Sequence, residues 1–179
     1  MRSNLNLILF FSVILAIVIM ISCKDNCQTQ QSSQSVDAKE CRESMEKANR
    51  YIAIQENEAI DDYVERHQMN VVETGTGLRY RIVKQGDTEL IKRGDVVSME
   101  YEVRLLTGDL LYSSKEDGKK TFLVGKGGVE SGLEEAVLYL HKGDVADVII
   151  PSHLAFGLLG DGDKVPPRAV LIYKIKICN

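Results

Sequence analysis

Aromatic side chains set beside turns are the part of this chain with the most chemical content. Tyr101, Tyr112, Phe122, Phe156 and Tyr173 stand near turn residues and around an apolar helix start. A concave apolar pocket with few polar groups suits binding, or a reaction that needs no acid, base or nucleophile. Conventional catalytic sets are missing: the sequence has no G-x-S-x-G, no H-E-x-x-H and no Walker lysine motif. Gly125-Lys126-Gly127-Gly128 lacks the spacing of a phosphate loop and the Lys-Ser/Thr pair that should follow it. Gly160-Asp161-Gly162-Asp163 has an acidic, calcium-like spacing. Lys164, Val165 and two prolines then stand where an EF-hand needs further ligands and a terminal Glu, so the stretch reads as a turn. Cys23, Cys27, Cys41 and Cys178 form no C-x-x-C and bear no ligand-like spacing to His67, His141 or His153, so neither a metal nor a cofactor is expected.

Composition narrows the partners. With 44% hydrophobic and 27% charged residues, 14 Gly and 3 Pro in 179, the chain is a globular protein of one domain plus extras rather than a fibre or a multi-span membrane protein. Lys+Arg 22 against Asp+Glu 26 leaves a net charge of -4, which lacks the basic surface that nucleic-acid affinity draws on.

The N-terminus reads as an export signal, with an uncleaved membrane anchor as the alternative for an apolar run of this length. Arg2 precedes an apolar run over residues 5–21, broken only by Asn6 and Ser12 and without a basic stop-transfer cluster after it. Met20-Ile21-Ser22-Cys23 resembles a bacterial lipobox, which assigns residues 1–22 to a lipoprotein signal peptide and Cys23 to lipid attachment. Two acyl chains on one residue anchor stably, because each buried methylene contributes about 0.8 kcal/mol. Residues 23–36, rich in Gln, Ser, Asn and Thr, read as a flexible tether to the membrane. The folded part then works in the bacterial cell envelope, on the periplasmic or cell-surface side.

Residues 37–70 hold no Gly or Pro, and Met45, Ala48, Ile52, Ala59 and Tyr63 recur at helical spacing, with Ile60 and Val64 one step round. This amphipathic helix carries no chemistry; its stripe packs on its own domain or serves a partner, a dimer of this chain included. From Val71 the pattern changes to alternation: Leu78, Tyr80 and Ile82, then Val97, Met99, Tyr101, Val103 and Leu105, followed by strands over residues 110–113, 121–124, 145–150 and 169–177. One helix interrupts them. Ser131 and Glu134 announce it as a capping box, Leu133, Ala136, Val137 and Leu140 form its apolar face, and Gly143 ends it. Residues 71–179 thus make a single α+β domain, an antiparallel sheet against one short helix, preceded by the N-terminal helix.

The order of motifs is specific. Lys92-Arg93-Gly94-Asp95, the strand ending at Tyr101, Leu111-Tyr112-Ser113-Ser114, Val124-Gly125-Lys126, Val129, Gly132-Leu133-Glu134-Glu135, Ile150-Pro151-Ser152-His153-Leu154-Ala155-Phe156-Gly157 and Val165-Pro166-Pro167 follow one another nearly ungapped. Together they resemble the FKBP family of peptidyl-prolyl isomerases over residues 77–177. The lipobox, the preceding helix and the wording from Phe156 to Asp161 look closer still to the gliding-motility-associated FKBP-type lipoproteins of bacteria.

The resemblance implies an antiparallel half-barrel wrapped round one short helix, with a proline pocket between helix and sheet and proline-containing polypeptides as substrates. It places Tyr101, Val129, Phe156 and Val165 on the pocket wall with Tyr112 and Phe122, Leu133 on the floor, Tyr173 at the back, and the backbone N–H of Glu130 as donor to the substrate carbonyl. No acid, base or nucleophile is implied. The amide barrier of about 18–20 kcal/mol comes from resonance that separates charge, and apolar walls disfavour that separation. Four positions depart from the family pattern: Leu133 replaces a Trp, Leu111-Tyr112 a Phe-Asp pair, and Lys120 an aromatic. Two functions follow: an envelope-anchored isomerase assisting the folding of exported proteins, or a non-catalytic FKBP-like module gripping peptides as a chaperone or assembly factor of a surface motility machine.

Overall fold

The computed structural model describes residues 29–86 and 89–178, with side chains from residue 38. The export segment, Cys23 and Cys27 lie outside the described residues. The chain divides into two compact units, residues 1–51 and 52–179. Helix α1 (Thr29–Arg66) supplies the described part of the first, up to Tyr51, and continues into the second. It begins earlier than the sequence pattern sets it, taking in residues expected to form the tether. The physical reason is that a nucleated helix adds one hydrogen bond per residue, so a Gln- and Ser-rich run without Gly or Pro is carried along. Lys39–Glu43 and Arg42–Glu46 ion pairs lie along its exposed side. Gln68, at a φ of 50°, stops the helix, and the Met69 N–H returns to the Val64 carbonyl.

The second unit is built on strands β1 (Val72–Glu73), β2 (Arg79–Lys84), β3 (Val96–Leu105), β4 (Leu110–Ser113), β5 (Lys120–Leu123), β6 (Val145–Ile150) and β7 (Leu171–Ile177). They form one antiparallel sheet in the order β1-β2-β6-β7-β3-β4, with β5 sharing the β4 edge of β3. Period-two alternation decides which face each residue takes. Val97, Met99, Tyr101 and Val103 of β3, Val148 and Ile150 of β6, and Tyr173 and Ile175 of β7 enter the main core with Leu133, Ala136, Val137 and Leu140. Ile149 and Ile172, paired across β6 and β7, point the other way and meet Ile60 and Val170.

The last turns of α1 therefore belong to this unit. Ile60 is fully buried, the Glu56 carboxylate accepts from the Ser152 N–H at 2.7 Å and its hydroxyl at 2.6 Å, and the buried Arg79 guanidinium donates to Asp61 at 2.8 Å. The unit begins at Ile52, ahead of the change to alternation at Val71, because Ile60 of this helix, with Tyr63 and Val64, packs on Ile149 and Ile172 of the sheet's second face.

Helix α2 (Ser114–Asp117) joins β4 to β5, and helix α3 (Ser131–Val137) crosses the main core. The capping box is not formed. Glu130 is the N-cap, the Ser131 hydroxyl donates instead to the Leu154 carbonyl, and Glu134 accepts from the Gly127 N–H. Gly132 is required for close approach: a Cβ there would stand 2.4 Å from Ile150 Cγ2.

Candidate functional site

A break in the ladder of β3 makes the opening. The β5 pairing ends at Met99↔Lys120 and the β4 pairing starts at Glu102↔Ser113, so the edge of β3 loses its strand partner between them. The Tyr101 N–H donates to the Ser114 hydroxyl at 3.0 Å in that gap, and Ser113 caps α2 by accepting from the Lys115 N–H. The strands on either side splay around a cavity of about 310 Å³, within the size range of small-ligand sites. It is lined by Tyr101 and Val103 from β3, Tyr112 from β4, Asp117 from α2, Lys120 from β5, Glu130 at the start of α3 and Tyr173 from β7. Phe156 and Asp161, from the loop after β6, complete it.

That loop is held at both ends. The Gly157 N–H donates to the Ser152 carbonyl and the Arg168 N–H to the Gly157 carbonyl, both at 2.8 Å. Gly160 has a φ of 73°, and a Cβ on it would stand 2.1 Å from the Val165 carbonyl oxygen. Asp161 Oδ1 accepts from the Asp163 and Val165 N–H groups, while its Oδ2 accepts from the Tyr112 hydroxyl. This bond, then burial, pushes the Tyr112 phenol up to about 12. Burial alone would raise the Asp161 carboxyl, but the Tyr112 bond and the two backbone donors outweigh it and hold it below the ordinary carboxylate value.

The interior end of the cavity is polar. The Tyr173 hydroxyl donates to Glu130 Oε1 at 2.8 Å, and burial, then the Glu130 charge, pushes the Tyr173 phenol far up, so it stays a donor. Glu130 Oε2 is buried without a hydrogen-bond partner among the described residues. Lys120 Nζ lies 3.7 Å from Glu130 Oε1 and 5.3 Å from the centroid of the Tyr101 ring.

Five of the residues singled out from the sequence therefore line one cavity: Tyr101, Tyr112, Glu130, Phe156 and Tyr173. Phe122, Val129, Leu133 and Val165 belong to the apolar cluster that includes the cavity walls but do not line it, Leu133 being fully buried. Val103, Asp117, Lys120 and Asp161 were not assigned to the site. Lys120 had a signal, since it stands where the resemblance implies an aromatic. Asp161 had only its turn pattern, because its partner Tyr112 lies 49 residues away. The expectation of an apolar pocket is thus corrected: four of nine lining side chains carry charge.

A larger depression of about 530 Å³ runs past Glu100, Lys119, Lys174 and Lys176. Lys119 and Lys176 both pair with Glu100 there, and Tyr101, shared with the smaller cavity, is the one aromatic among its lining residues.

A family model described as FKBP-type peptidyl-prolyl cis-trans isomerase matches residues 87–178. The chain is 40% identical over 105 residues to the probable FKBP-type peptidyl-prolyl cis-trans isomerase FkpA of Neisseria meningitidis serogroup B, covering 58% of this chain and 38% of that protein. It is 31% identical over 110 residues to the outer membrane protein MIP of Legionella longbeachae, covering 61% of this chain and 46% of that one. Among solved structures, FkpA from Escherichia coli matches with a TM-score of 0.61 and 26% identity, over 94% of this chain and 80% of that chain. This chain spans well under two thirds of the length of the Neisseria and Legionella relatives.

Proposed function

The chain belongs to the FKBP-type peptidyl-prolyl cis-trans isomerase family, and on that premise we propose that it catalyses cis–trans isomerisation of X-Pro bonds in polypeptides. The observation that carries this reading is the convergence of Tyr101, Tyr112, Phe156 and Tyr173 on a cavity whose lining contains no Ser, Cys or His nucleophile. The prolyl ring enters between the aromatic walls, which Phe122, Val129, Leu133 and Val165 back with packed core. The Glu130 N–H, at the N-cap position of α3 and so without an intrahelical acceptor, donates to the carbonyl oxygen of the residue before proline. Ring faces accommodate the twisted amide better than the charge-separated planar one, so binding energy goes to the transition state. X-Pro bonds otherwise take tens to hundreds of seconds to isomerise, which makes folding polypeptides the substrate class.

The lipobox-like segment supports attachment to a membrane through acylated Cys23 in the cell envelope, where the protein would assist exported chains. The name of the Legionella relative agrees with such a location. Mass spectrometry of the envelope protein should find the lipid on Cys23, and an unmodified thiol would overturn this attachment. The finer kinship with gliding-motility lipoproteins rests on the wording from Phe156 to Asp161, and a dimer through α1 rests on exposed Met45, Tyr51 and Ile54. A second reading, a peptide-gripping module without catalysis, is favoured by Leu158 and Leu159, 63% and 85% exposed on the loop just past Phe156.

A protease-free isomerisation assay separates the two. The wild-type chain should accelerate X-Pro exchange, and Phe156→Ala should lose most of that acceleration with its thermal transition nearly unchanged. A wild-type protein that binds peptide yet leaves the rate uncatalysed would make the second reading the better one.

A further inference from the structure

We propose that Lys120 is a catalytic residue of this cavity, its ammonium donating a hydrogen bond to the prolyl nitrogen as the X-Pro amide twists. The inference rests on the isomerase reading above. In the planar amide the nitrogen lone pair is delocalised into the carbonyl, and the nitrogen accepts no hydrogen bond. Twisting confines that lone pair to the nitrogen, which becomes pyramidal and basic. A donor aimed at it therefore meets an acceptor that exists only near the transition state, and such an interaction lowers the barrier rather than tightening ground-state binding. The proton stays on Nζ throughout, and no bond forms or breaks.

The cavity contains few groups able to do this. The Tyr173 hydroxyl is committed to Glu130 and the Tyr112 hydroxyl to Asp161. Glu130, Asp117 and Asp161 offer carboxylates, and Phe156 and Val103 offer no donor. Lys120 and Tyr101 remain, and of these the cation is the stronger donor, since charge-assisted hydrogen bonds are about twice as strong as neutral ones.

Position supports Lys120 as well. Its Nζ is 5.3 Å from the Tyr101 ring centroid and 6.0 Å from that of Tyr173, in the angle between two rings that wall the cavity. Glu130 Oε1 stands 3.7 Å from Nζ, beyond hydrogen-bond distance, so the carboxylate fixes the charge without using up its N–H donors. The lysine side chain is 28% exposed and the glutamate side chain 6%, so the ammonium stays open to an entering chain while its carboxylate partner is buried. The relay from Tyr173 to Glu130 to Lys120 gives the buried carboxylate a purpose in this cavity: it positions a cation where the sequence pattern of the family has an aromatic wall.

The test compares three variants of the full chain in the protease-free assay, with a thermal melt on each. Lys120→Met keeps the length of the side chain and removes the donor. Its kcat/KM should fall by about ten- to hundredfold, the span of a hydrogen bond to a charged group, chiefly through kcat. Lys120→Arg should recover most of the loss, and Lys120→Phe should stay low although it restores an aromatic. Should Lys120→Met lose its fold, Lys120→Leu, which also carries no donor, makes the same comparison with the same expectation. Wild-type kcat/KM in the Met variant, or a Phe variant faster than wild type, would overturn the proposal and leave the isomerase reading standing. A wild-type chain without isomerase activity would overturn both.

Discussion

The Tyr112 phenol donates to the Asp161 carboxylate and so joins β4 to the loop after β6 across the mouth of the cavity. The carboxylate that the family pattern implies at position 112 is thus present in the cavity after all, delivered from the opposite wall. Lys164 Nζ lies 4.8 Å from the Tyr112 ring centroid and closes the same corner.

This tie should persist over a wide pH range. The Asp161 carboxyl is held below its ordinary value, so its contribution is complete above that value and is lost only as pH falls through the lowered one. The Tyr112 phenol is raised, so its contribution is complete below the ordinary 10.0 and is lost as pH climbs toward about 12. Tyr112→Phe removes the bond, and the Asp161 carboxyl should then titrate at a higher pH, read by carboxyl-carbon NMR. An unchanged Asp161 titration would show that the two backbone donors alone set it.

The end of α1 should prove structural. Ile60→Ala should cost about 2–5 kcal/mol, the range for emptying a buried aliphatic site. A chain beginning at Ile52 should melt cooperatively. One beginning at Val71 should melt far lower or not at all, because it bares Ile149 and Ile172 and takes Asp61 from the Arg79 guanidinium. Equal melting temperatures for the two chains, measured by circular dichroism, would return the helix to a role outside this unit.

Strands and core were legible because alternation is a local signal: Val97, Met99, Tyr101 and Val103 announce their face without knowledge of their neighbours. The aromatic wall residues Tyr101, Phe156 and Tyr173 were legible through motif order. What escaped was whatever depends on pairing across the chain. The Glu130 side chain was passed over for its backbone because nothing adjacent shows that Tyr173, 43 residues on, donates to it. Ser131 and Glu134 have capping-box spacing, yet Leu154 and Gly127 take their side chains, a tertiary competition that local spacing does not encode.

Tyr173→Phe should destabilise the protein by about 1–3 kcal/mol, since it leaves a buried Glu130 carboxylate without its donor. Combining it with Glu130→Leu should recover stability, because an apolar pair of similar volume escapes the desolvation cost of the charge. Chemical denaturation of both variants checks this. A double variant less stable than Tyr173→Phe alone would mean that the Lys120 contact to Glu130 outweighs that cost.

The most direct test of the central claim, that X-Pro amides twist in the cavity between Tyr101, Tyr112, Phe156 and Tyr173, is exchange NMR on a proline-containing peptide with a substoichiometric amount of the chain, with the protein's aromatic resonances followed in the same titration. The account predicts cis–trans exchange cross-peaks absent from the free peptide, together with shifts confined to these rings and the Glu130 amide. Exchange at the free-peptide rate, or peptide-induced shifts centred on Glu100, Lys119 and Lys176 instead, would contradict it.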